Sequence, residues 1–136
     1  MRHLALVALL AGCASSDRWS QEVVELPLNA SEVIDAVAAM PECEAVRGGG
    51  VIHWRAALTC GSPLPVNGCA YPFERPPRVE VVYEPSALGA DGRPARLAHE
   101  LCHVCGYLDE AEADACAFRA TAAARAAVGL AGAQGQ

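Results

Sequence analysis

The chain has 136 residues, 53% of them hydrophobic, and a formal net charge of −6. That length suits one domain with a single modest core, and the apolar content excludes a disordered chain. An acidic chain without a basic stripe offers phosphate backbones no electrostatic footing, which argues against nucleic acid as a partner.

Arg2 and His3 form a short positive stretch, followed by the apolar run Leu4 to Ala11, whose eight residues are too few to span a membrane. The run ends in Leu10-Ala11-Gly12-Cys13, which resembles the lipobox of bacterial lipoproteins. The resemblance implies a signal peptide over 1–12, lipidation of Cys13 after cleavage, and a polar tether over 13–20. Ala14, rather than Asp, follows the cysteine. The resemblance therefore implies an envelope protein on the outer membrane, facing the periplasm or the cell surface. The folded domain is then expected over 21–136.

Residues 22–28 read as a strand cut short by Pro27. Ser31 is a natural N-cap for a helix over 32–40, where Val33, Ile34, Val37 and Met40 recur at helical spacing and Pro41 ends the pattern. Gly48 to Gly50 is a turn, and 51–58 a strand. Residues 61–77 are rich in glycine and proline and read as a loop pinned by Cys60 and Cys69. Arg78 to Glu84 is the clearest strand, β-branched and bounded by prolines. A turn over 87–93 leads into a helix over 95–105, with Gly106 placed to end it. Asp109 and Glu112 form a capping box for an alanine-rich helix over about 110–127, and the tail beyond it reads as frayed. This order predicts an α+β fold with a small antiparallel or mixed sheet.

Seven cysteines are present. Setting Cys13 aside leaves Cys43, Cys60, Cys69, Cys102, Cys105 and Cys116, an even number that reads as up to three disulfides in an exported domain. Their pairing stays open among about 15 possibilities. Cys102 and Cys105 flank His103 and are expected as disulfide partners that stiffen its helix.

The chemistry concentrates in His99-Glu100-Leu101-Cys102-His103. On a helix, side chains four apart share a face, so His99 and His103 can grip one Zn²⁺. Glu100 stands beside that face as the base for a metal-bound water. HExxH is the zinc-peptidase signature. A catalytic zinc needs a third protein ligand, and Asp109, Glu110 and Glu112 all lie just downstream. Glu110-Ala111-Glu112-Ala113-Asp114 resembles the Glu-x-x-Ala-Asp helix of gluzincin peptidases. That resemblance makes Glu110 the third ligand and Asp114 the partner of His99, within a zincin-like fold. The departure is spacing, because only six residues separate His103 from Glu110. His99-Glu100-x-x-His103-x-x-Gly106-x-x-Asp109 is also similar to the metzincin pattern, which makes Asp109 the ligand. Metzincins need a downstream Met-turn, and no methionine follows Met40. Glu112 is the remaining alternative. Both resemblances cover only about residues 95–120.

Arg78 to Glu84 is a candidate edge strand for an extended substrate, and Tyr71, Tyr83, Tyr107 and His53 are candidate donors to a tetrahedral oxyanion. The expected function is a zinc-dependent peptidase anchored in the envelope and acting on peptides or proteins. The alternative is a non-catalytic envelope lipoprotein whose metal site is structural or vestigial.

Overall fold

The computed structural model describes residues 14–21, 30–89 and 93–129. The apolar run Leu4 to Ala11, Cys13, the strand expected over 22–28 and the tail over 130–136 lie outside the described residues. The elements are α1 (Ala14–Asp17), β1 (Trp19–Gln21), α2 (Ala30–Ala38), α3 (Glu44–Arg47), β2 (Gly50–Arg55), β3 (Gly68–Tyr71), β4 (Arg78–Val82), a 3-10 turn over Pro85–Leu88, α4 (Arg96–Cys105) and α5 (Glu110–Ala127). The fold is α+β, as expected. Among the described residues no helix is long and apolar enough to cross a membrane.

One four-stranded mixed sheet runs in the order β1-β2-β4-β3. β1, β2 and β4 pair in parallel, while β3 runs antiparallel to β4 at the edge. The alternation in β2 and β4 turns Ile52, Trp54, Val79 and Val81 to the buried face. Leu97 and Leu101 from α4 and Ile34 and Val37 from α2 join the same core. Each such side chain, fully removed from water, contributes about 2 kcal/mol. Ala113, Ala117 and Ala120 are buried on α5. A stripe this small lets α5 lie close against α2 and α4, which is what the alanine-rich composition accomplishes.

Several expectations are corrected here. The stretch read as a polar tether is folded from Ala14 onward. Trp19 is buried in the core, and its indole N–H donates to the Val46 carbonyl at 3.0 Å. Ser31 lies within α2 instead of capping it, and its hydroxyl is bonded to Glu32. The second strand stops at Arg55, and Leu58 makes only an isolated bridge to Val66. The glycine- and proline-rich loop contains a strand, β3, that its composition hides. Arg78–Val82 is internal, flanked by β2 and β3, so the edge role assigned to it passes to β3.

The disulfides are Cys43–Cys105, Cys60–Cys69 and Cys102–Cys116. The second pins the loop as expected. Cys102 and Cys105 are both bonded, each to another element: Cys102 ties α4 to α5, and Cys105 ties the end of α4 to the turn before α3.

Candidate metal centre

α4 carries His99, Glu100 and His103, all buried. Its start is anchored from α5, because the Ala95 amide donates to the Thr121 hydroxyl at 2.8 Å, and that hydroxyl donates to the Ala117 carbonyl. Its end is set by Gly106, whose φ of +121° is a conformation that L side chains rarely adopt. Asp109 then caps α5, its carboxylate accepting from the Ala111 amide at 3.0 Å. The result is a tight hairpin in which the first turn of α5 faces the histidines.

Glu110 is the carboxylate that the hairpin delivers. Its Oε1 lies 3.0 Å from His99 Nε2 and its Oε2 3.1 Å from His103 Nε2, and the two Nε2 atoms are 3.1 Å apart. Asp109 is committed to the cap. Glu112 sits about 200° further around the helix from Glu110. Of the three carboxylates considered for one role, only Glu110 is brought to both histidines.

The far sides of the rings decide what the near sides can do. His103 Nδ1 is 2.6 Å from the Tyr107 carbonyl, and His99 Nδ1 is 2.7 Å from Asp114 Oδ1. A carbonyl and an ionised carboxylate only accept, so both Nδ1 atoms donate. Both Nε2 atoms, in the neutral rings, therefore carry lone pairs. Two lone pairs and a carboxylate converge with no donor among them. Such a set suits a cation. Bonds of about 2.0–2.1 Å in tetrahedral array place ligand atoms about 3.3 Å apart, close to the spacings here. The Glu110 side chain is 77% exposed, so the convergence point opens to solvent on that side.

Glu100 lies next to this point, with a carboxylate oxygen within 4.8 Å of one ring nitrogen of each histidine. Burial pushes its carboxyl up to about 7, against the opposing pull of Arg96, whose guanidinium is 3.6 Å away. The β3 backbone closes over it. A Cβ placed on Gly68 would stand 2.5 Å from Glu100 Oε2, so only glycine fits there without displacing the carboxylate. A cleft of about 710 Å³ opens between β3 and α4. Gly68, Ala70 and Phe73 line one wall, and Arg96, Glu100, His103 and Glu110 line the other.

The four oxyanion candidates are engaged elsewhere. Tyr71 and His53 lie on the sheet, where the Tyr71 hydroxyl reaches Glu80 and the Arg78 guanidinium lies over the Tyr71 ring. Tyr83 packs against Trp54. The Tyr107 hydroxyl donates to Glu42 at 2.7 Å, and Arg119 binds the same carboxylate. Tyr107 contributes to the site through its carbonyl instead. Gly68, Arg96 and Glu42 were not singled out from the sequence. Arg96 was within reach, because it shares the α4 stripe of 96, 99, 100 and 103.

The chain was compared with known protein families, with curated proteins and with solved structures, and none of the three comparisons finds a match.

Proposed function

We propose that this protein is a zinc-dependent peptidase, with His99, His103 and Glu110 as metal ligands and Glu100 as general base. The observation that carries the reading is the convergence of two imidazole lone pairs and one carboxylate within 3.0–3.1 Å of one another. Such a donor set suits zinc, with one coordination position left for water or a carbonyl. Bound zinc would lower the pKa of water to about 7 and polarise a carbonyl.

The remaining work falls to this chain's own side chains. Asp114 and the Tyr107 carbonyl orient the rings and raise their basicity. Glu100, with a carboxyl near neutrality, is matched to accept a proton at physiological pH and later pass it to a leaving amine. β3 sits at the sheet edge beside the cleft, where an extended peptide can pair by strand addition. Three disulfides fit an oxidising compartment and so support export. Lipid anchoring through Cys13 in the envelope belongs to the same proposal and rests on the lipobox alone. Cys13→Ser should abolish labelling by a fatty-acid analogue.

The test of the enzyme is Glu100→Gln. Wild type should hold about one zinc per chain and hydrolyse a peptide mixture, and the variant should keep the zinc and lose hydrolysis. Zinc bound without hydrolysis in either form would leave a binding lipoprotein with a structural metal. A folded protein without zinc would end the metal reading.

A further inference from the structure

Two cavities meet at the candidate metal centre. One is the cleft between β3 and α4, which reaches His103, Glu100 and Glu110. The other, of about 750 Å³, reaches His99 and Asp114 and is walled by Arg93, Arg96, Arg119 and Phe118. Arg96 lines both. The sequence contains 16 acidic residues and ten basic ones, every basic one an arginine. Three of those ten arginines line this one cavity, in a protein whose net charge is negative.

The three differ in what already holds them. Arg119 is bound by Glu42 at 3.1 Å, and that pair fastens the Tyr107 turn. Arg96 makes one contact with Glu100, and at 3.6 Å it is longer than a charge-assisted hydrogen bond. That contact engages one nitrogen of a fork with five donors. Arg93, three residues earlier, has an interaction of its own and lines the second cavity and a smaller neighbouring one, each together with Arg96. Among the described residues, the carboxylates that line these cavities are Glu84, Glu100, Glu110 and Asp114: Glu84 accepts from the Ser86 hydroxyl at 2.8 Å, Glu100 meets Arg96, and Glu110 and Asp114 face the histidine rings.

We infer that Arg96, with Arg93 behind it, forms a subsite for a carboxylate of the substrate, so that the protein acts on peptides carrying an acidic group next to the reacting bond. The inference rests on the peptidase reading above and supplies its substrate class. Planar guanidinium groups bind carboxylates through paired hydrogen bonds, which neutral amides do not reproduce. A carboxylate can come from an Asp or Glu side chain or from a free C-terminus, and the cavity chemistry is the same for both.

The test uses the zinc-loaded full chain and dipeptide hydroxamates, which anchor on zinc and need no turnover. The residue beside the hydroxamate is Glu, Gln or Leu, and each probe is made with a free and an amidated C-terminus. The carboxylate subsite predicts that a carboxylate-bearing probe binds at least about tenfold tighter than its amide counterpart. The preference should shrink with added salt, nearly vanish in Arg96→Gln and weaken in Arg93→Gln. A preference confined to the Glu side chain supports an endopeptidase subsite. One confined to the free C-terminus supports a subsite for chain ends. Equal binding of Glu and Gln probes, and of free and amidated ends, would overturn the inference while leaving the metal centre intact. If Arg96→Gln does not fold, Arg93→Gln and the salt dependence carry the decision. Loss of binding for every probe, with no zinc retained, would overturn the peptidase reading and this inference together.

Discussion

The imidazole of His99 faces a carboxylate at each nitrogen, the two one helical turn apart: Asp114 Oδ1 lies 2.7 Å from Nδ1, and Glu110 Oε1 lies 3.0 Å from Nε2. The two contacts do different work. Glu110 shares the convergence point with His103 and is the proposed ligand, while Asp114 fixes the ring and its proton. Asp114→Ala should therefore weaken zinc binding by about 10–100-fold without abolishing it, and Asp114→Asn, which keeps an accepting oxygen, should do less. Glu110→Ala should cost more than either, and Asp109→Ala should leave zinc affinity nearly unchanged. Competition against a chromophoric chelator measures all four. Equal affinities for Asp114→Ala and wild type would mean that the His99 ring needs no such support.

The two helices that carry the proposed ligands are also joined covalently. Cys102 precedes His103 by one residue and Cys116 follows Asp114 by two, and they are bonded to each other across 14 residues of sequence. Closing a loop of that size stabilises the fold by about 3 kcal/mol in the chain-entropy account. The double variant Cys102→Ala, Cys116→Ala should lose stability on that order and should also bind zinc more weakly, because the hairpin angle is then held by packing alone. Removing Cys60–Cys69 should loosen β3 and the cleft wall while sparing zinc. Denaturant unfolding combined with zinc titration separates the two. If zinc affinity falls equally in both, the hairpin disulfide has no special part in aligning the ligands.

The centre was legible in the sequence where it depends on local geometry. His99 and His103 four apart, Gly106 at a helix end, the Asp109 cap and the α5 boundaries all follow from helix periodicity and capping, which act within one or two turns. Singling out Glu110 among three neighbouring carboxylates needed the family resemblance first and the hairpin geometry afterwards. What was hidden depends on distant pairing. Gly68–Tyr71 has four residues and no apolar alternation, and it becomes a strand because β4 pairs with it and Cys60–Cys69 pins it. Trp19 sits in a polar stretch, and its burial depends on β2 and on a carbonyl from α3. The partners of Cys102 and Cys105 were equally out of reach, because pairing across the fold leaves no local trace.

Gly68 makes a sharp prediction because its missing side chain is filled by the Glu100 carboxylate. A methyl group there would stand within 2.5–2.8 Å of three Glu100 side-chain atoms. In Gly68→Ala, either the edge strand or the carboxylate must move. Since a misplacement of about 1 Å can cost about 100-fold in rate, hydrolysis should fall by about that factor. Zinc stoichiometry should stay at wild-type level, because the three atoms that a Cβ there meets first all belong to Glu100 and not to a proposed ligand. Full activity in Gly68→Ala would show that the Glu100 position is not set by β3.

Burial of Glu100 ties stability to pH in the metal-free protein. Its carboxyl moves from the ordinary 4.5 to about 7, chiefly through desolvation, so the folded state favours the protonated form. A folded pKa above the unfolded one means that this group's contribution is fully present below about pH 4.5. It is then lost as pH rises through about 7, and above that ionised Glu100 makes folding harder by about 3 kcal/mol. Glu100→Gln carries no such ionisation. With zinc removed by a chelator, the stability gap between variant and wild type should be small near pH 4.5, widen up to about pH 7.5, and then stay flat. Comparing the two proteins cancels the titrations of groups remote from Glu100, which they share. Denaturant midpoints at several pH values measure the gap. A gap that does not change with pH would place the Glu100 carboxylate in water, and with it would go the case for a base tuned by burial beneath β3.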